Sequence, residues 1–128
     1  MSESYEVAFA IREHYLPNFP GDNLPVSGLG ISLAIADRMD NIVAKFGTGK
    51  HPTGDKDPFA LRRQALAILN IIIEKNLPLD LNELIEMSIK LYTQQSLPIM
   101  DSTDKILDFF FERLRTFYNE NNMGRISI

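Results

Sequence analysis

Residues 57–74 read DPFALRRQALAILNIIIE, and this stretch decides the fold. Asp57 suits a helix N-cap, and Pro58 suits a first turn because its missing N–H would have had no intrahelical partner. Leu61, Ala65, Ile68 and Ile72 then recur at helical spacing, flanked by Leu66, Leu69 and Ile73. An apolar surface that wide belongs in the middle of a helical bundle. Leu77-Pro78 breaks the helix, because proline disfavours helical geometry in the residue before it.

The flanking sequence supplies helices to pack against it. Residues 3–15 place Val7, Ala10, Ile11 and His14 on one face. Asn18 to Ser27 is rich in proline, glycine, aspartate and asparagine, the composition of a loop. A second helix over 28–46 has Ser27 as N-cap and Gly47 as stop signal. Its stripe is Ile31, Ile35, Ile42 and Phe46, crossed by Arg38, with Asp37, Asp40, Asn41 and Lys45 on the polar edge. Asp80, followed by Glu83, reads as a capping-box start for a face of Leu81, Leu84, Ile85, Ser88, Leu91 and Tyr92. After Leu97-Pro98 a last helix starts near Asp101-Ser102. It carries Ile106, Phe110, Leu114 and Phe117, with Leu107, Phe111 and Tyr118 beside them, and Phe109 pointing elsewhere, toward a missing neighbour. Gly124 ends it.

No strand-like alternation is sustained; GRISI, residues 124–128, is too short to decide. No period of 20–50 residues repeats. The expected fold is all-α, a compact bundle of about five helices forming a single helical domain over 1–128, with long loops at about 17–27 and 47–57. The chain opens almost inside a helix and stops just after one, which suggests a piece of a longer protein.

With 128 residues and 45% hydrophobic content, one modest core can be buried. The formal charge of −4 argues against a uniformly basic nucleic-acid binder. Charge is nonetheless uneven. From Lys45 to Arg63, five basic residues face Asp55 and Asp57, so that window carries +3 and the remainder −7. The absence of cysteine excludes disulfides and thiolate metal sites. No apolar run is long enough to span a bilayer and no targeting segment is visible, so a cytoplasmic location and no membrane partner are expected.

The chemical motifs are mostly incomplete. GTGK at 47–50 has Ala44 where a phosphate loop needs its first glycine and His51 where it needs Ser or Thr, and a helix precedes it. His14, Asp37 and Asp40 resemble a pattern of the HD superfamily of metal-dependent phosphohydrolases. That chemistry needs several His and Asp ligands around one or two cations, whereas this chain has two histidines and no adjacent His-Asp pair. The fold expectation is therefore part of a degenerate HD domain, with no metal site and no catalytic residue. His51 reads as an exposed loop residue. Arg62 and Arg63 lie about 100° apart around a helix and cannot serve one surface identically. One can pair with Asp37 or Asp40 while the other faces solvent or phosphate, since the guanidinium fork suits carboxylate and phosphate alike.

Three stretches, EHYLPNFPGDNLP (13–25), AIADRMD (34–40) and FGTGKHPTGDKDPFALRR (46–63), resemble the beta subunit of the bacterial heterotetrameric glycyl-tRNA synthetase. The likeness is strong over residues 6–80 and weaker beyond. Departures are Pro20, Arg38 and Met39 where the family usually has Ala, Lys and Leu, and Asp55 for a common Ser. The resemblance implies an interior piece of a longer beta subunit that engages tRNA(Gly) and scaffolds the complex. It also implies that the class II site, with ATP and Mg, sits on the alpha subunit, leaving no cofactor and no catalysis in this piece. The partners implied are the alpha subunit, the rest of the beta subunit and the tRNA. Phosphate contacts are expected from Lys50, Lys56, Arg62 and Arg63, and structural ion pairing from Asp37, Asp40 and Arg62. Two alternatives stand beside this reading: a purely structural interdomain packing module, and a residual HD-type metal phosphohydrolase.

Overall fold

In the computed structural model, residues 3–19, 21–95 and 102–121 are described. They form five helices and no strand: α1 Glu3–Glu13, α2 Gly28–Gly47, α3 Leu61–Glu74, α4 Leu81–Gln94 and α5 Thr103–Asn121. The all-α expectation holds. Helix α2 is the hub, touching each of the other four, while α5 closes the bundle against α3 and α4. Ile42, Phe46, Leu61, Ile68, Ile71, Ile85, Ile106 and Phe110 form the centre of the core. The Leu97-Pro98 break, the Gly124 stop and the GRISI segment lie outside the described residues.

The ends of the helices have local causes, and several differ from expectation. Ser27 caps α2 as predicted, its Oγ accepting from Gly30 N at 2.9 Å. The helix runs one residue past Phe46, because Gly49 rather than Gly47 supplies the left-handed residue, with φ 76°. Gly49 N donates to Phe46 O and Lys50 N to Lys45 O, a Schellman closure. Asn76, with φ 52°, closes α3 the same way through Asn76 N to Ile73 O and Leu77 N to Ile72 O. Asp80 caps α4 by accepting from Asn82 N at 2.8 Å.

Helix α3 begins at Leu61, later than the Asp57-Pro58 start expected from sequence. Residues 57–60 instead make a turn in which Ala60 N donates to Asp57 O, and Ala60 itself is left-handed at φ 55°. Asp57 still serves the helix end, one turn upstream. Its two carboxylate oxygens accept from Leu61 N and Arg62 N, both at 2.9 Å.

Two faces turn differently from the periodicity. On α5, Phe109 is buried against Phe46 at 5.1 Å between ring centroids, and Phe111 is exposed. The stripe rotates toward Phe109 because α2 presents Phe46 on that side, and Arg113 lies over the outer part of the Phe109 ring. On α1 and α4, Val7, Ile11 and Leu91 are exposed, and the buried positions are Ala10, Glu13, Ile85 and Ser88.

Candidate functional site

The charged window expected to be a free loop is a small built hairpin. Thr53 N donates to Lys56 O and Lys56 N to Thr53 O, at 3.0 and 2.9 Å. Gly54 stands first in the two-residue turn with φ 57°, the position that type II′ hairpin turns give to glycine. The Arg62 guanidinium reaches back from α3 to donate to Gly54 O. That backbone acceptor takes the place of the aspartate expected to pair with Arg62. At the other root, His51 stacks on Phe46 with centroids 5.7 Å apart. Lys50, just past the end of α2, and Lys56, on this braced hairpin, stay exposed, with Asp55 at the hairpin tip. GTGK is thereby the end of a helix and not a phosphate cradle.

Arg63 diverges from Arg62, as adjacent helical positions must. It lines a polar cleft of about 670 Å³ together with His14, Asp37, Asp40, Lys45 and Tyr92. Asp37 and Asp40 come from α2, and Tyr92 from α4. Burial raises the Tyr92 phenol above its usual range, and its hydrogen bond to the Asp40 carboxylate raises it further. Lys45 is half-buried, its Nζ 4.4 Å from the centroid of the Phe59 ring, a cation–π contact that turns the ammonium back onto the protein. Among the described residues no group of three or more His, Asp and Glu side chains could hold a metal ion. Nor is any helix of those residues long and apolar enough to cross a membrane.

Arg38, which crosses the apolar stripe of α2, lines this cleft and ties its wall together, and Glu13 secures the chain just before α2. Arg38 is buried on α2 and spends four N–H groups on backbone oxygens. Nη1 donates to His14 O and Ala34 O at 3.1 Å, and Nη2 donates to Tyr15 O at 3.0 Å and Pro17 O at 3.1 Å. Burial lowers its basicity and the nearby Asp37 charge partly restores it. Glu13 does the matching work at the start of α2. Its carboxylate accepts from Val26 N at 2.7 Å, Ser27 N at 3.0 Å and Ser27 Oγ at 2.7 Å. For Arg38 a signal was present in the sequence, as a charged residue crossing an apolar stripe, where burial requires several partners; Glu13 lies off the apolar face of its helix and carried none.

The hairpin, the Asp57 turn and the two hubs fall within the three stretches quoted above, with Arg38 itself one of the departures noted there. A family model described as glycyl-tRNA synthetase beta subunit matches residues 1–127. The glycine–tRNA ligase beta subunit of Erwinia tasmaniensis is 51% identical over 118 residues, covering 92% of this chain and 17% of the relative. That of Pectobacterium atrosepticum is 49% identical over the same length and shares. The Klebsiella pneumoniae subunit is 47% identical over 122 residues, 95% of this chain and 18% of the relative. The chain thus spans about a sixth of the length of these curated relatives. On the family match and these identities, the chain belongs to the glycyl-tRNA synthetase beta-subunit family.

Proposed function

We propose that this domain is an accessory, non-catalytic part of a glycine–tRNA ligase, offering phosphate contacts to tRNA(Gly) and a scaffold to the rest of the complex. Partners on this reading are the alpha subunit, which would carry ATP, Mg and the glycine-activating site, and the remainder of the beta subunit, in the cytoplasm. The observation that supports it is the hairpin: Lys50 and Lys56 stand exposed while Arg62 fixes its turn and Asp57 fixes its exit. The braced backbone sets where these two lysines emerge, and their exposed ammonium groups can bind phosphate as point charges. Arg63, exposed one residue beyond, is a third contact. Arg62 belongs to the bracing and would act on RNA only through the hairpin.

The test is charge reversal of Lys50 and Lys56 together in the complete enzyme. Each lost phosphate contact lowers the slope of log affinity against log salt by about 0.7 to 0.9, so the double variant is expected to flatten it by roughly 1.4 to 1.8. Unchanged binding and charging across salt would overturn the assignment. A stability loss with an unchanged slope would favour the interdomain packing role.

A further inference from the structure

Away from the hairpin, a second surface is left open. A groove of about 840 Å³ runs between the end of α1, α2, the 77–79 connector and α4. Ile31, Ile35 and Met39 make its floor, and Ile11, Met87 and Leu91 stand along its edges. These edge residues are 50%, 60% and 53% exposed, and Leu79 beside them is 41% exposed. Large apolar side chains clustered this way on a folded domain mark a surface meant to be covered. Methionine at the rim adapts to an irregular partner. Among the described residues that line the groove, the only formal charges are Asp37 and Asp40.

We infer that this groove receives an amphipathic helix from the part of the beta subunit outside these 128 residues, with apolar residues at helical spacing and at least one Lys or Arg set against Asp37 and Asp40. The shape argues for a helix, because the groove lies between helical faces and the described residues offer no free strand edge there, so its apolar floor takes anchors at i, i+3 or i+4, and i+7. The charge argues for a basic flank. The length argues for the source, because the curated relatives carry about five-sixths of their chain outside the matched region. Lys50 and Lys56 do not line the groove, while Asp37 and Asp40 also line the cleft of Arg63, so the inference is carried by the apolar face and not by the proposed RNA contact.

The experiment uses a beta subunit of the relatives' length carrying these residues, purified as its native complex, with benzoylphenylalanine in place of Met87. Irradiation followed by peptide mass spectrometry is expected to link position 87 to one segment of the same chain outside residues 1–128, with apolar residues at helical spacing and a basic residue. Adding Leu91→Asp should cut the yield roughly tenfold or more, the effect of losing one buried anchor, and Asp37→Lys with Asp40→Lys should cut it as well. Because Leu91 is exposed, an unchanged unfolding midpoint accompanies its replacement. Asp40 accepts from Tyr92 and Asp37 offsets the Arg38 charge. Asp37→Asn with Asp40→Asn, which keeps the acceptors, is therefore read beside the Lys variant and should cut the yield as well. Crosslinks to residues 122–128, to a second beta subunit distinguished by isotope labelling, to another polypeptide or to RNA would overturn the inference, as would no crosslink.

Discussion

At the scale of single residues, Glu13 ties α1 to the start of α2. Burial raises its carboxyl pKa, but the Ser27 hydroxyl and the Val26 and Ser27 amides outweigh this and hold it below the ordinary value. With the folded pKa depressed, its contribution to stability is complete above the unfolded value of about 4.5 and is lost as pH falls through the folded one. Thermal unfolding between about pH 3 and 7 should therefore show a shallower acid-side decline for Glu13→Gln than for the wild type. Equal slopes would remove Glu13 from the explanation. Gly30 belongs to the same latch, since a Cβ there would meet Glu13 Oε1 at 2.5 Å and Ser27 Oγ at 2.8 Å. The carboxylate is held by three donors and cannot swing aside, so Gly30→Ala is expected to cost about 1–3 kcal/mol in denaturant unfolding. Arg38→Leu should cost about 2–4 kcal/mol by leaving the connector carbonyls without donors. Arg38→Lys should fall between it and the wild type, because an ammonium has three donors for four acceptors.

At the scale of elements, helix ends account for most of the difference between expectation and structure. Gly49 has no atom within 4 Å of a Cβ built there, so Gly49→Ala isolates the backbone conformation and should destabilise by about 1 kcal/mol. Asn76→Gly, in the same conformation, should be neutral or slightly stabilising. Asp57→Ala removes acceptors for two N–H groups at the head of α3 and should cost about 1–2 kcal/mol. If unfolding midpoints for Asp57→Ala match the wild type, the α3 cap lies elsewhere. Cap residues were legible in the sequence at Ser27 and Asp80, where the side chain and the first turn are adjacent. They were displaced at Asp57 because a turn was inserted between cap and helix, and displaced at Gly47 because two nearby glycines carry the same local signal. Only the geometry of the following residues selects Gly49.

At the scale of the whole molecule, the bundle is well buried on α2 and α3 and lightly held by α1 and α4. On α4 only Ile85 and Ser88 are buried, so Ile85→Ala should remove about 2–5 kcal/mol and release α4 ahead of the core, read as faster amide exchange over 81–94 than over 61–74. The charge pattern also resolves only here. The five basic residues of the +3 window divide into Lys45 over the Phe59 ring, Lys50 just past α2, Lys56 on the exposed hairpin, Arg62 spent on Gly54, and Arg63 in a polar cleft beside Asp37 and Asp40.

By itself the sequence determined the five helices, the core of α2 and α3 and the family, because helical periodicity, proline breaks and long specific motifs are local or directly readable. The tertiary structure alone decided which apolar residues stay uncovered, which way the α5 stripe turns, and that Glu13 and Arg38 are buried hubs. Those depend on what each face meets across the bundle. A periodic pattern gives the side on which a residue lies; the partner helix decides whether that side is closed.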